Sequence, residues 1–555
     1  MIQEPLHTVS ELLKDNIDAF LKELNSHIPS NITISTNWGE LDNVYKHNKN
    51  SQIFNRRLQY NPFVIVYCEN ESDVVITYKA AIDNKLPIRV RAGGHDHEGE
   101  CTGTNVVLID VSKMASLTID PITKIASIGP GIRFQTLTSK LAEQDVMIPH
   151  GTCATVGIAG FTMGGGWGPW TRKMGMCCEH LVGANILLGD GTLQKLDVKN
   201  GSVPELLWAL RGGGGMSYGI ITELRIQTFT LPAVLHRFEV EWNCYEDQEP
   251  DTLNEEVPTI EILQKWEELI ESPNTSNLIG TNLKINGRPW DTGEPVNIHT
   301  VYNNCVFYGY WEGDENSLCK FIDDYLKEKV SPYTLTIEPA TGADYAHKNQ
   351  YGSHLMGNWD RESHNKILNK LGLLREGTPL QPDYDIPAPH KITSRLVNTG
   401  GLDAQGKNGY KALFESLFSN LILDGNRKLG LFTYVTLGAI VGDYYMKHAE
   451  NTDSAFPYKD KLYTIQYQCW WNTKKEEKEE FQDNFVYDRT NRSLDWIETS
   501  RDFDIPNTSG AFISFKDSSI PTKTYFDKSY ERLKEIKETY SKDPYNHFRT
   551  RKTII

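Results

Sequence analysis

Arg91-Ala92-Gly93-Gly94-His95-Asp96 and His150-Gly151-Thr152-Cys153-Ala154-Thr155-Val156-Gly157 are the stretches on which the reading of this chain turns. Each sets one nucleophilic side chain among residues with little or no Cβ, where the backbone can come close to a ligand. Further glycines follow at Gly160, Gly164, Gly165, Gly166 and Gly168, and then in the run Arg211-Gly212-Gly213-Gly214-Gly215. The first stretch forms a turn directly after a strand predicted over Ile88–Arg91, so its N–H groups can cradle a pyrophosphate. No obvious helix follows that turn, which argues against a nucleotide site of the Rossmann kind.

Outward from these loops the pattern alternates between strand and helix. Thr8-Val9-Ser10-Glu11 is a capping box opening a helix with Leu12, Leu13, Ile17, Phe20, Leu21 and Leu24 on one face. Pro62–Tyr67 reads as a strand, Ser72 caps a helix carrying Val75, Tyr78, Ala81 and Ile82, and the strand Asn105–Asp110 is nearly all apolar. Leu181–Leu188 is another apolar strand, turned by Gly189-Asp190-Gly191, and Ser217–Thr222 closes the first domain. That order predicts an α+β fold with a buried sheet. Beyond it the chain is richer in Trp, Tyr, Asn and charge, and alternating runs such as Leu462–Trp471 predict a second domain on an antiparallel sheet covered by helices. Alternation puts Tyr463, Ile465, Tyr467 and Cys469 on one face and Gln466, Gln468 and Trp470 on the other. Tyr530–Tyr540 is a helix with Leu533, Ile536 and Tyr540 on one face, ending before Asp543-Pro544. Lys474–Glu480 is a solvated helix face. The expected division is 1–230, with a core over about 55–230, then 231–504, then a return of 505–555 to the first domain.

Composition excludes several classes. The 555 residues exceed one ordinary core, so two or more domains are expected. A formal charge of −16 argues against nucleic acid and against an anionic membrane surface. No stretch approaches the roughly 18 apolar residues of a membrane span. The N-terminus shows no signal-peptide pattern, and the 9 cysteines are odd in number without CxxC spacing. A cytoplasmic protein with reduced, mostly buried thiols is expected, secretion not being excluded. Asn31-Ile32-Thr33 and Asn274-Thr275-Ser276 match glycosylation sequons that also arise by chance. His95, His97 and Glu98 form a cluster, but no second group has metal-ligand spacing, so no metal is expected; Cys177 and Cys178 read as buried thiols.

The two glycine-framed loops, Trp208-Ala209-Leu210-Arg211 ahead of the glycine run, and Tyr525-Phe526 with Asp543-Pro544-Tyr545-Asn546-His547-Phe548 together resemble the berberine-bridge-enzyme-like FAD-linked oxidases of the vanillyl-alcohol-oxidase superfamily. The similarity covers about 50–230 and 505–555 and extends to oxidases of hexoses and oligosaccharides. It implies a two-domain FAD-binding fold of the vanillyl-alcohol-oxidase type. It also implies FAD bonded covalently through both His95 and Cys153, which raises the flavin's reduction potential and leaves an open site over the ring. Arg91, Ala92, Gly93, Gly94 and Asp96 in the first loop would meet the cofactor, as would Gly151, Thr152, Val156 and Gly157 in the second. Gly160, Gly164, Gly165, Gly219, Ile221 and Tyr525 complete that set, with Tyr525 lining the ring. Gly151 and Val156 occupy positions that in this family accompany reaction with dioxygen, although both also serve as packing against the ring.

The implied activity is transfer of hydride from a substrate CH–OH, in a sugar or glycoside, to flavin N5, with dioxygen reduced to hydrogen peroxide. The implied partners are a small-molecule substrate and O2, with the oligomeric state open. Tailoring of a peptide or polyketide natural product is the alternative, and a flavin-binding protein without turnover is a third reading. The substrate half departs from the family. A Tyr-x-Asn-Tyr segment bearing the catalytic tyrosine reads Phe512-Ile513-Ser514-Phe515, and a frequent acidic position is Tyr434. Tyr434 then either takes the proton itself, if its ordinary pKa of ~10 is depressed, or only hydrogen-bonds the substrate. Ala455-Phe456-Pro457-Tyr458 resembles a family segment that often ends in His-Arg, so Tyr458 is another departure, and Gln466 is the candidate pocket residue.

Overall fold

The computed structural model describes residues 11–29, 32–242, 257–287, 303–340, 387–404, 406, 408–418, 431–471 and 485–555. Thr8–Ser10 of the expected capping box, Asn31 of the first sequon and the Lys474–Glu480 face lie outside those residues.

Three larger sheets and a two-stranded ribbon, Val146–Met147 with Phe229–Thr230, organise the described chain. In the first, Val107–Asp110 runs parallel between Val64–Tyr67 and Ile88–Arg91, and Ile34–Thr36 adds an antiparallel edge. The central strand is wholly buried and apolar up to Asp110, as a covered parallel strand requires. The helix Glu71–Asp83 covers this sheet, but Ser72 does not cap it. Asn70 does: its side chain accepts from the Asp73 N–H at 3.1 Å, and Asp73 accepts in return from the Asn70 N–H at 3.3 Å. An Asn two residues upstream competes with Ser for the same orphan donors, and the reciprocal Asp73 selects it.

The second sheet is antiparallel, in the order Leu117–Ile119, Ile125–Ile128, Ile220–Gln227, Leu181–Leu187, Leu193–Asp197. It shares a core with Trp170, Tyr218 and Trp208, and the tail packs onto it through Tyr525, Phe526, Leu533 and Ile536. Tyr540, expected on the same helical face, is exposed.

The third sheet has eight antiparallel strands drawn from residues 235–471 plus Thr508–Ser509. Thr508–Ser509 pairs with Leu396–Val397 at the edge of this sheet. Its period-two alternation separates two environments. Tyr463, Ile465, Tyr467, Cys469 and Trp471 point into a core closed by the helices Thr259–Glu271, Gly409–Glu415 and Phe485–Asp502. Gln466, Gln468 and Trp470 point the other way, toward the first two sheets. A buried ionic cluster fastens this junction: Lys391 of the third sheet pairs with Glu98 and, at 2.8 Å, with Asp517, which also accepts Arg501 at 3.2 Å. No described helix is long and apolar enough to cross a membrane.

Candidate active site

The two loops that carry His95 and Cys153 are stacked backbone against backbone. A Cβ added at Gly93 would lie 2.5 Å from the Gly157 nitrogen, and one at Gly157 would lie 2.8 Å from the Gly93 nitrogen. Only glycine permits that approach, and Gly94 in addition holds φ at +76°. The stack brings His95 Nε2 to 2.7 Å from the Thr155 hydroxyl. Phe54 stacks on the His95 ring with centroids 4.0 Å apart. Burial, then the charges of His97 and Arg133, hold the His95 imidazole well below its ordinary pKa, so it is a neutral nucleophile at neutral pH.

Both loops open on one cavity of about 2110 Å³, mouth included, between the first two sheets and the third. Of the expected cofactor residues, Ala92, Gly93, Gly94, His95, Asp96, Gly151, Thr152, Cys153, Val156, Gly157, Gly160, Gly164, Gly219 and Ile221 line it. At Gly160 an added Cβ would meet nothing within 4 Å, so the glycine leaves the space open. The remainder lie elsewhere. Arg91 is buried behind the wall in an ion pair with Asp110 at 2.5 Å. Gly165 packs against Phe456 and Phe512. Tyr525, expected beside the ring, turns its hydroxyl to the Asp517 carbonyl at 2.9 Å and does not line the cavity. Its burial in the core under the third-sheet junction outweighs an exposed ring.

Of the expected substrate residues, Tyr434 and Gln466 line the cavity. Tyr458 does not; it is buried with Phe456 and Phe512 and donates to the Thr524 carbonyl. The Tyr434 hydroxyl donates to Gln468 Oε1 at 2.8 Å, an oxygen that also accepts Trp470 Nε1 at 3.2 Å. The Lys284 ammonium stands 4.5 Å from the centroid of the Tyr434 ring. Asn282, Tyr308 and Thr436 share this wall, with Asn282 donating to the Tyr308 hydroxyl at 3.1 Å. Sequence reasoning missed these three; the alternation of Leu278–Asn286, Cys305–Glu312 and Leu431–Ala439 carried the signal, but only pairing fixes which face meets the cavity. Charged groups on the cavity neutralise one another: Lys516 binds Asp96 at 2.6 Å and Glu100 at 3.0 Å. Among the described residues no group of three His, Cys, Asp or Glu could hold a metal ion.

The cavity fits FAD on its own features. Many of its lining residues are glycines, and the side chains of His95 and Cys153 line it as well.

Comparison with known proteins places these features. Residues 62–197 match the family described as FAD binding domain, and residues 511–555 match the family described as berberine and berberine like. An uncharacterized FAD-linked oxidoreductase of Bacillus subtilis is 24% identical over 513 residues, covering 90% of this chain and 92% of its own. Berberine bridge enzyme-like 2 of Arabidopsis thaliana is 25% identical over 523 residues, with 90% and 85% covered. Among solved structures, berberine bridge enzyme-like 1 of Physcomitrella patens superposes with a TM-score of 0.70 at 20% identity, over 97% of this chain and 99% of that one. The glucooligosaccharide oxidase of Acremonium strictum gives 0.69 at 19% identity, over 97% and 98%. That oxidase is described as carrying a 6-S-cysteinyl, 8α-N1-histidyl FAD.

Proposed function

We propose, for a chain that belongs to the berberine-bridge-enzyme-like FAD-linked oxidoreductases and has the two-domain α+β fold of the vanillyl-alcohol-oxidase type, that it oxidises a CH–OH group of a neutral saccharide or glycoside. In this reading FAD is bonded to both His95 and Cys153, and dioxygen is the final acceptor, released as hydrogen peroxide. Bound flavin supplies the two-electron acceptor that no side chain can provide.

The observation that carries the substrate class is the chemistry of the third-sheet wall. Asn282, Tyr308, Tyr434, Thr436, Gln466 and Gln468 offer amides and hydroxyls, Trp470 offers an aromatic face, and Trp167, from the loop after Ile158–Met163, adds a second. Amides and hydroxyls match sugar hydroxyls in both donor and acceptor sense, and aromatic faces take the C–H face of a pyranose ring. Among the described third-sheet residues that line the cavity none is charged, which does not favour a carboxylated or cationic substrate. Tyr434 is held by Gln468 and backed by Lys284, so it orients the hydroxyl of the bound substrate, with Gln466 beside it. In this reading the stacked loops would hold the flavin through His95 and Cys153, which line the same cavity as these groups.

The test is peroxide release in air from purified flavin-loaded protein with glucose, cellobiose, lactose and xylobiose. Turnover of at least one, with its loss of affinity in Tyr434→Phe, supports the reading. No peroxide from any of them, together with peroxide from a polyketide or peptide-borne alcohol, would assign the alternative, a natural-product tailoring oxidase.

A further inference from the structure

Oxidation of an alcohol removes two hydrogens, and the O–H proton needs an acceptor that the altered Phe512-Ile513-Ser514-Phe515 segment does not supply. Phe512 and Phe515 have no ionisable group. The Tyr434 proton is already directed to the Gln468 carbonyl oxygen. Asp96 and Glu100 are both bound by Lys516.

A pair of histidines at the same cavity resolves differently. His97 Nδ1 lies 2.9 Å from His390 Nε2, and His390 Nδ1 lies 2.9 Å from the Ala388 carbonyl oxygen. A carbonyl oxygen only accepts, so His390 carries its hydrogen on Nδ1. In a neutral imidazole the other nitrogen is then an acceptor. His390 Nε2 therefore accepts, His97 Nδ1 carries the hydrogen of the shared bond, and the lone pair of His97 is on Nε2. Burial, as the largest cause, keeps both rings neutral: it pushes His97 down to about 4 and His390 well below its ordinary value. Among the described residues His97 Nε2 has no hydrogen-bond partner, and His97 lines the cavity. The pair abuts the third-sheet wall, since Trp470 lies on His390 with centroids 4.2 Å apart and donates to the Gln468 oxygen that holds Tyr434.

We infer that His97 is the catalytic base of the oxidation and that His390 is its positioning residue, fixing the tautomer that aims the Nε2 lone pair into the cavity. This rests on the alcohol-oxidase reading above. In the step, the substrate O–H bond breaks and its proton bonds to His97 Nε2. The C–H bond breaks with its electron pair passing to the oxidised cofactor, and the C=O bond forms. Dioxygen takes up the two electrons and both hydrogens as hydrogen peroxide, which returns His97 to its neutral form.

The test uses the full flavin-loaded chain and has two arms. Diethyl pyrocarbonate acylates imidazole nitrogen that bears a free lone pair, and peptide mass spectrometry locates the adduct. His97 is expected to react before His390, whose nitrogens are both engaged. In the second arm, anaerobic bleaching of the flavin by cellobiose is timed in the parent, His97→Gln, His390→Gln and His390→Leu, with flavin content confirming that each variant is folded. Bleaching is expected to slow by about 100-fold or more in His97→Gln, and clearly in His390→Leu. It is expected to stay near the parent rate in His390→Gln, whose Oε1 can accept from His97 Nδ1. Air reoxidation after dithionite reduction is expected to be equal in all four. Labelling of His390 ahead of His97, or bleaching of His97→Gln within about threefold of the parent, overturns the inference. A parent enzyme that cellobiose fails to bleach counts instead against the saccharide reading, and the labelling order then decides the His97 tautomer alone.

Discussion

His95 Nε2 and the Thr155 hydroxyl oxygen lie 2.7 Å apart, a bond that joins the imidazole of the first glycine-framed loop to a side chain two residues beyond Cys153 in the second. It fixes the rotation of a neutral imidazole before any cofactor arrives. Thr155→Val keeps the shape and removes the partner. In that variant the fraction of flavin bonded through His95 should fall, measured as peptide-bound flavin after proteolysis of the Cys153→Ala background. Thr155→Ser should restore it.

Gly93 and Gly157 touch through their backbones, so Gly93→Ala forces the loops apart. A cost of about 1–3 kcal/mol is expected from this overpacking. The denaturation midpoint should drop, and flavin incorporation should fall further than the midpoint alone explains, since the displaced strand of the loop is the cavity wall. Gly160→Ala, where nothing lies within 4 Å of the added Cβ, should leave the midpoint nearly unchanged and act on the cofactor alone.

Lys391 is buried between Glu98 and Asp517, at the junction of the third sheet with the rest. Lys391→Met removes the buried cation shared by the two carboxylates and leaves them the arginines at their edge, Arg501 at 3.2 Å from Asp517 and Arg57 at 3.6 Å from Glu98. A loss of about 3–5 kcal/mol is expected. The check is the urea midpoint, and the double variant Lys391→Met with Asp517→Asn should recover part of it.

Glu267 is buried in the core behind the third sheet, accepting from the Tyr463 hydroxyl at 2.9 Å and from the Leu402 N–H at 2.8 Å. Burial raises its carboxyl to about 7, above the ordinary range. The folded state thus holds a proton that the unfolded chain releases first. Stability contributed by this proton is complete below the ordinary glutamate range and is lost as pH rises through about 7. The parent midpoint should decline between pH 5 and pH 8, and Glu267→Gln should flatten that decline.

Much of this was legible before any coordinates. The His95 and Cys153 loops are written in glycines, and glycine spacing survives as geometry: an added Cβ at Gly93 or Gly157 would run into the other loop's backbone, and Gly94 holds φ at +76°, where a side chain is strained. The alternation of Leu462–Trp471 likewise separated Gln466, which faces the cavity, from Tyr463 and Tyr467, which face the helices. What escaped were contacts between segments distant in sequence. Tyr525 and Tyr458 look like site residues in one dimension, yet both hydroxyls are satisfied by backbone carbonyls of the core. His390 meets His97 across 293 positions, and no local pattern announces such a pairing. Ser72 lost its cap to Asn70 because a reciprocal Asp73 decides between two good capping residues.

The central claim is the attachment of one flavin at two points, and the most direct measurement is the mass and visible spectrum of the denatured chain in the parent, His95→Ala, Cys153→Ala and the double variant. The account expects flavin to remain with the parent and with each single variant and to leave only the double variant. A parent chain at apo mass that yields colourless polypeptide and free FAD on denaturation would contradict it.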